Sequence, residues 1–129
     1  MNSYTEPCIY GFEAGASLTG KEHTFLKFGA SEKELISAAA GEKAIGVLAS
    51  GNRVVGSEIN SGDEIEAAIL GGGALLKLAG TVSAGDSIAS NADGEGVVAT
   101  TGQWSAAIAM KDGVAGDIIP VILDGHFQP

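Results

Sequence analysis

Cysteine is almost missing from this chain. Cys8 stands alone among 129 residues, which excludes an internal disulfide and any cysteine-based zinc cluster. It has no basic neighbour that would activate it, so a buried or incidental thiol is expected rather than a nucleophile. Positive charge is scarce too. Seven Lys and Arg face sixteen Asp and Glu, for a formal charge of −9. The basic residues, with Arg53 the single arginine, are scattered from Lys21 to Lys111. Displacing counterions from phosphates needs clustered cations, so no nucleic-acid partner is expected, and the acidity is read as keeping the chain soluble. No apolar run approaches the ~20 residues of a membrane span, so no membrane partner is expected either. Met1 to Pro7 has neither a basic nor an apolar leader character, so no signal peptide is expected and synthesis is placed in the cytoplasm.

Catalytic groups are equally sparse. The two histidines, His23 and His126, each lie near a segment expected to end or flank the domain, and no Gly-x-Ser-x-Gly elbow occurs. Nucleophilic catalysis needs a nucleophile, a base and a group to orient the base, so no catalytic residue is assigned and no enzyme is expected. Asn91-Ala92-Asp93-Gly94-Glu95 alternates oxygen donors. It is too short for a calcium loop, and Asp-Gly is a hairpin signal. Gly71-Gly72-Gly73 is followed by no Lys-Ser/Thr, and a bend fits it better than a phosphate cradle. No metal and no cofactor are expected.

Of the seven aromatics, five (Tyr4, Tyr10, Phe12, Phe25 and Phe28) fall in the first 28 residues, and none between Gly29 and Gln103. What is abundant is glycine, at 20 residues, and small aliphatics within a 45% hydrophobic composition. Short apolar runs separated by turn signals read as strands. They are Thr24–Phe28, Leu35–Ala38, Ala44–Ala49, Ile65–Leu70, Ala74–Leu78, Ser87–Ser90, Gly96–Thr100, Ser105–Met110 and Ile118–Leu123. Ser31-Glu32-Lys33-Glu34 has capping-box spacing, so either one helix of about two turns or a turn into a strand follows it. The fold class is therefore all-β, with at most one short helix.

The chain also repeats itself loosely. Ile45–Gly51 lines up with Ala107–Gly113, and Ser61–Ile69 with Ala115–Leu123. Phe25–Phe28 mirrors Leu75–Leu78, and Leu35–Ala38 mirrors Val97–Thr100, with an extra loop at Asn52–Asn60 in the first half. Duplication of one sheet element accounts for this order; chance similarity between Ala/Gly-rich segments is the competing account. Pro120 lies inside the last apolar run and cannot donate to a ladder, which predicts an edge strand or a bulge.

An ordered set of motifs carries a resemblance. Leu76–Asp86 with its Val82-Ser83-Ala84-Gly85-Asp86, then Ser90–Gly94, then Gly113–Leu123 with its Gly116-Asp117, resemble the head decoration (capsid cement) proteins of tailed bacteriophages. The match covers residues 74–124 well and 41–70 more weakly, and departs at Ala107-Ile108-Ala109, where the family often has Ile-Gly. The resemblance implies a small β-barrel or tulip-like domain over residues 24–129 with an extended N-terminal arm at 1–23. It implies a homotrimer on the outer capsid surface of the virion that clamps major capsid protein subunits together. In that setting Tyr4, Pro7, Ile9, Tyr10 and Phe12 become the capsid-binding arm, which gains order by strand addition. Trp104 and Pro120 become subunit-interface residues. A tail, fibre or bacterial surface β-module is the alternative, and a small-ligand-binding barrel a more distant one.

Overall fold

The computed structural model describes residues 9–49, 54 and 56–127, with backbone alone for 9–11. Among them there is no helix and there are ten strands. These are β1 (Ile9–Ala14), β2 (Phe25–Phe28), β3 (Glu34–Ser37), β4 (Gly46–Ala49), β5 (Glu64–Ile69), β6 (Gly73–Lys77), β7 (Ser87–Ser90), β8 (Gly96–Val98), β9 (Trp104–Ala109) and β10 (Ile118–Phe127). All nine runs expected from apolar patterning are strands, and the segment after Ser31 is the turn into β3. The strand that patterning missed is β1, which lies within the expected arm. It pairs antiparallel with β5 from Ile9↔Ala68 to Glu13↔Glu64 and parallel with β3, and so closes a barrel of order β1-β3-β2-β4-β5. From Ile9 onward the expected arm is therefore barrel wall and its continuation, with Ala14 and Leu18 in the interior. Residues 1–8 lie outside the described residues.

The remaining strands form a second sheet of order β6-β10-β9-β7-β8. An isolated parallel bridge, Leu78↔Gly96, links its two outer strands. Read as a cycle, that order is the first barrel's order again. β6 through β10 take the places of β1 through β5, and the Leu78↔Gly96 bridge takes the place of the parallel pair Ala14↔Leu35. The register agrees residue by residue. Phe12 faces Ile65 as Leu76 faces Ile119, and Leu26 faces Gly46 as Ile88 faces Ala107. The Ala14 N–H donates to the Asp63 carbonyl at 2.9 Å, and the Leu78 N–H to the Asp117 carbonyl at 2.8 Å.

The chain is thus a tandem duplication, with a finer alignment than the one read from sequence. The partner of β6 is β1, not β2, and Gly46 rather than Ile45 corresponds to Ala107. A one-residue slip inverts every side chain across the sheet, so the pairing, and not the similarity of letters, sets the alignment.

The Gly-Asp turns behave as their composition implies. Gly62, Gly85 and Gly116 have φ of 92, 91 and 91°, the left-handed value that a type II turn assigns to glycine. Each aspartate then closes its turn: Asp63 accepts from Asn60 N–H at 2.8 Å, Asp86 from Ser83 N–H at 2.9 Å and Asp117 from Val114 N–H at 3.0 Å. Gly113 differs. It has no such φ, and a Cβ there would lie 2.7 Å from Leu78 Cδ1, so glycine is present for close packing.

Two buried clusters result. One fills the first barrel with Leu18, Leu26, Leu35, Leu48, Ile59 and Ile65. The other fills the second unit around Leu76, Ile88, Ile119 and Leu123, and also contains Phe25, Val47 and Ala68. Those three form one ladder rung on the outside of the first barrel. The second unit covers that rung, so the two halves share a core.

Pro120 is not on an edge: β10 pairs with β6 on one side and β9 on the other. The Pro120 carbonyl accepts from Met110 N–H at 3.1 Å, so the absent N–H falls where β9 has already ended at Ala109, and the ladder loses nothing. The bulge in β10 comes later, between Leu123 and His126.

Candidate interaction surfaces

Of the residues assigned to a capsid-binding arm, Tyr4 and Pro7 lie outside the described residues. Ile9 and Tyr10 have their backbone in β1, opposite Ala68 and Ala67. Phe12 is half-buried and packs on the first-barrel cluster. With Phe28, Ile45, Ile69 and Leu70 it lines a shallow apolar depression at one end of the barrel. Phe28, 58% exposed, is its most open side chain. Lys27, Glu42 and Lys43 border the adjoining hollow. The Lys27 ammonium sits 2.7 Å from Glu42; its hydrogen bond, and then that from Ala39 N–H, holds the Glu42 carboxyl below the usual carboxylate range.

Trp104, assigned to a subunit interface, is half-buried in this structure. It pairs with Phe127 across β9 and β10 and has Lys43 Nζ 5.0 Å above its ring, a cation–π contact. Gly125 leaves room for the indole: a Cβ there would lie 2.8 Å from Trp104 Cζ2. Trp104 and Pro120 are therefore in different surroundings: Trp104 packs beside Lys43 and Phe127, and Pro120 lies on a sheet face opposite Leu75.

That sheet face gathers several of the exposed large hydrophobic side chains among the described residues. On β10, Ile118 and Ile122 are 49% and 47% exposed, while Ile119, Val121 and Leu123 point into the core. Leu75 on β6 lies directly opposite Pro120, Ile108 on β9 opposite Ile122, and Met110 beside Pro120. Sequence reasoning named only Pro120 of this group. The signal for the rest was the unbroken run Ile118–Leu123, which lacks the polar alternation of a strand with one wet face.

The histidines are separate features. His23 lies between β1 and β2 with φ of 65°, and its carbonyl accepts from Lys77 N–H at 2.8 Å. His126 Nδ1 is 4.0 Å from Asp124 on β10. Asn91–Glu95 forms the β7–β8 hairpin turn, where the Asn91 side-chain oxygen accepts from the N–H groups of Asp93 and Glu95 at 2.8 and 2.9 Å. Among the described residues no group of three or more His, Cys, Asp or Glu could hold a metal ion.

No protein-family model matches the chain, and no curated protein sequence does. A solved structure does: the head fiber gp8.5 N base of bacteriophage phi29, at a TM-score of 0.63 and 13% identity, over 89% of this chain and 92% of that one. At that identity the likeness is one of fold, and it spans both units of the duplication.

Proposed function

We propose that this chain is a structural protein of a tailed-bacteriophage head: a decoration protein that binds the outer capsid surface as a trimer and strengthens contacts between major capsid subunits. The observation that carries the proposal is the fold shared with a phage head-fibre base over nine-tenths of both chains. The ordered Gly-Asp motifs of residues 74–124 point the same way. In this reading the protein is not an enzyme, and its partners are the major capsid protein and its own copies, with neither nucleic acid nor membrane among them. Many copies docked on a symmetric shell gain avidity without large individual interfaces. The acidic surface suits an outward-facing layer, because an inward-facing one would meet packaged DNA.

A second reading, the base of a head fibre, is favoured by the neighbour's own description. Titrating the purified chain onto undecorated heads tests both. Decoration predicts saturation at a copy number set by the whole capsid lattice; a fibre base predicts saturation at far fewer sites. Absence of binding at every salt concentration overturns both.

A further inference from the structure

The duplication supplies an internal control for surface chemistry. By register, Glu64 and Glu66 of the first barrel occupy the places of Ile118 and Pro120 in the second unit, and Glu13 that of Lys77. Glu64 and Glu66 are exposed, so the fold accepts carboxylates at these positions. The apolar residues that replace them add nothing to either core. A lone exposed isoleucine needs no explanation, but a contiguous apolar face across three strands does.

A second correspondence indicates what covers it. The first-barrel rung Phe25–Val47–Ala68 is buried beneath the second unit. Its counterpart is Ser87–Ile108–Ile122, and Ile122 there is 47% exposed. We infer that the outer face built by Leu75, Ile108, Met110, Ile118, Pro120 and Ile122 is where copies of this chain pack against one another. This assignment rests on the self-assembling head protein proposed above and gives that assembly its surface.

Two observations select a second copy as the occupant. The equivalent rung in the first half is already covered by a unit of this same fold. Charge acts in the same direction. The chain carries −9, so contacts between its acidic surfaces, such as that around Glu13 and Glu66, bring like charges together. The face on the second unit has no unpaired cation or anion among its six residues, and neighbouring Lys77 is paired with Glu95 at 3.4 Å. Copies of an acidic chain meet at lowest electrostatic cost through such a face, and its apolar area supplies the attraction.

The test transplants the first barrel's chemistry: Ile118→Glu with Pro120→Glu, made in the full chain. Light scattering is expected to give a multiple of the chain mass for the wild type. The double variant is expected at the single-chain mass, with self-association weakened at least ~100-fold and its circular dichroism unchanged. Met110→Lys, placed beyond the end of β9, is expected to weaken association in the same direction and serves if the double variant does not fold. A folded variant that keeps the wild-type mass overturns this face while leaving a trimeric head protein intact. A monomeric wild type overturns both the face and the trimer. A monomeric wild type whose binding to heads is lost in the double variant gives the face to the capsid instead, and overturns the inference without touching capsid binding.

Discussion

The two halves of this molecule have the same strand order and the same register, yet bury different things. In the first barrel the interior is filled by leucine and isoleucine from its own strands and connecting segments, and one outer rung is sealed by the second unit. In the second unit the corresponding rung is only partly covered, with Ile122 exposed, and the neighbouring positions have isoleucine and proline where the first barrel has glutamate. Backbone topology is thus indifferent to which outer face is wet. Side-chain chemistry at alternate positions decides it, because successive residues of a strand point to opposite faces.

The strongest way to break this comparison is to ask whether the halves are one cooperative unit. Leu76→Ala removes a fully buried side chain from the cluster that also holds Phe25, Val47 and Ala68. It is expected to destabilise the protein by about 2–5 kcal/mol, within a single urea transition that shifts for both halves together. Two separated transitions would show that the shared cluster does not couple them.

A smaller effect probes a position where the halves differ by one methyl group. Gly46 and Ala107 are equivalents. A Cβ on Gly46 would collide with the Ala68 carbonyl oxygen. Gly46→Ala is expected to cost about 1–3 kcal/mol, against roughly 0.5–1 kcal/mol for the reverse exchange Ala107→Gly. Equal losses in chemical denaturation would mean that the strands beside Gly46 can separate as readily as those beside Ala107.

The smallest effect sharpens the likeness instead. Asp63 and Asp117 close matched turns through the Asn60 and Val114 N–H groups. Removing either carboxylate as alanine is expected to cost about 1 kcal/mol, and the two losses should agree within the error of matched urea midpoints. A clear inequality would show that the turns differ in role despite their shared geometry.

Much of this architecture was legible in the residues. Apolar runs separated by glycine-containing turn signals marked nine strands, and at three of those turns glycine takes the positive φ while the following aspartate caps it. β1 was not legible. Ile9–Ala14 is interrupted by Gly11 and lacks a clean alternation of apolar and polar residues, and its partners, β3 and β5, lie at least 20 residues away along the chain. Pro120 misled for a related reason. A proline is compatible with a centrally paired strand when the neighbour stops beside it, and only the end of β9 at Ala109 reveals that it does. Trp104 and Pro120 were both assigned to a subunit interface; Trp104 is packed beside Lys43 and Phe127, and Pro120 lies on the face of the second sheet.

By itself the sequence determined the all-β class and the turn positions, and it left a repeat and chance similarity as competing accounts. These depend on local φ preferences and on alternation within a few residues. The tertiary structure decided the alignment of the repeat, the closure of the first barrel by β1 and the identity of the uncovered face. Each of these depends on which distant strands pair and in what register. A shift of one residue, invisible in composition, exchanges core for surface.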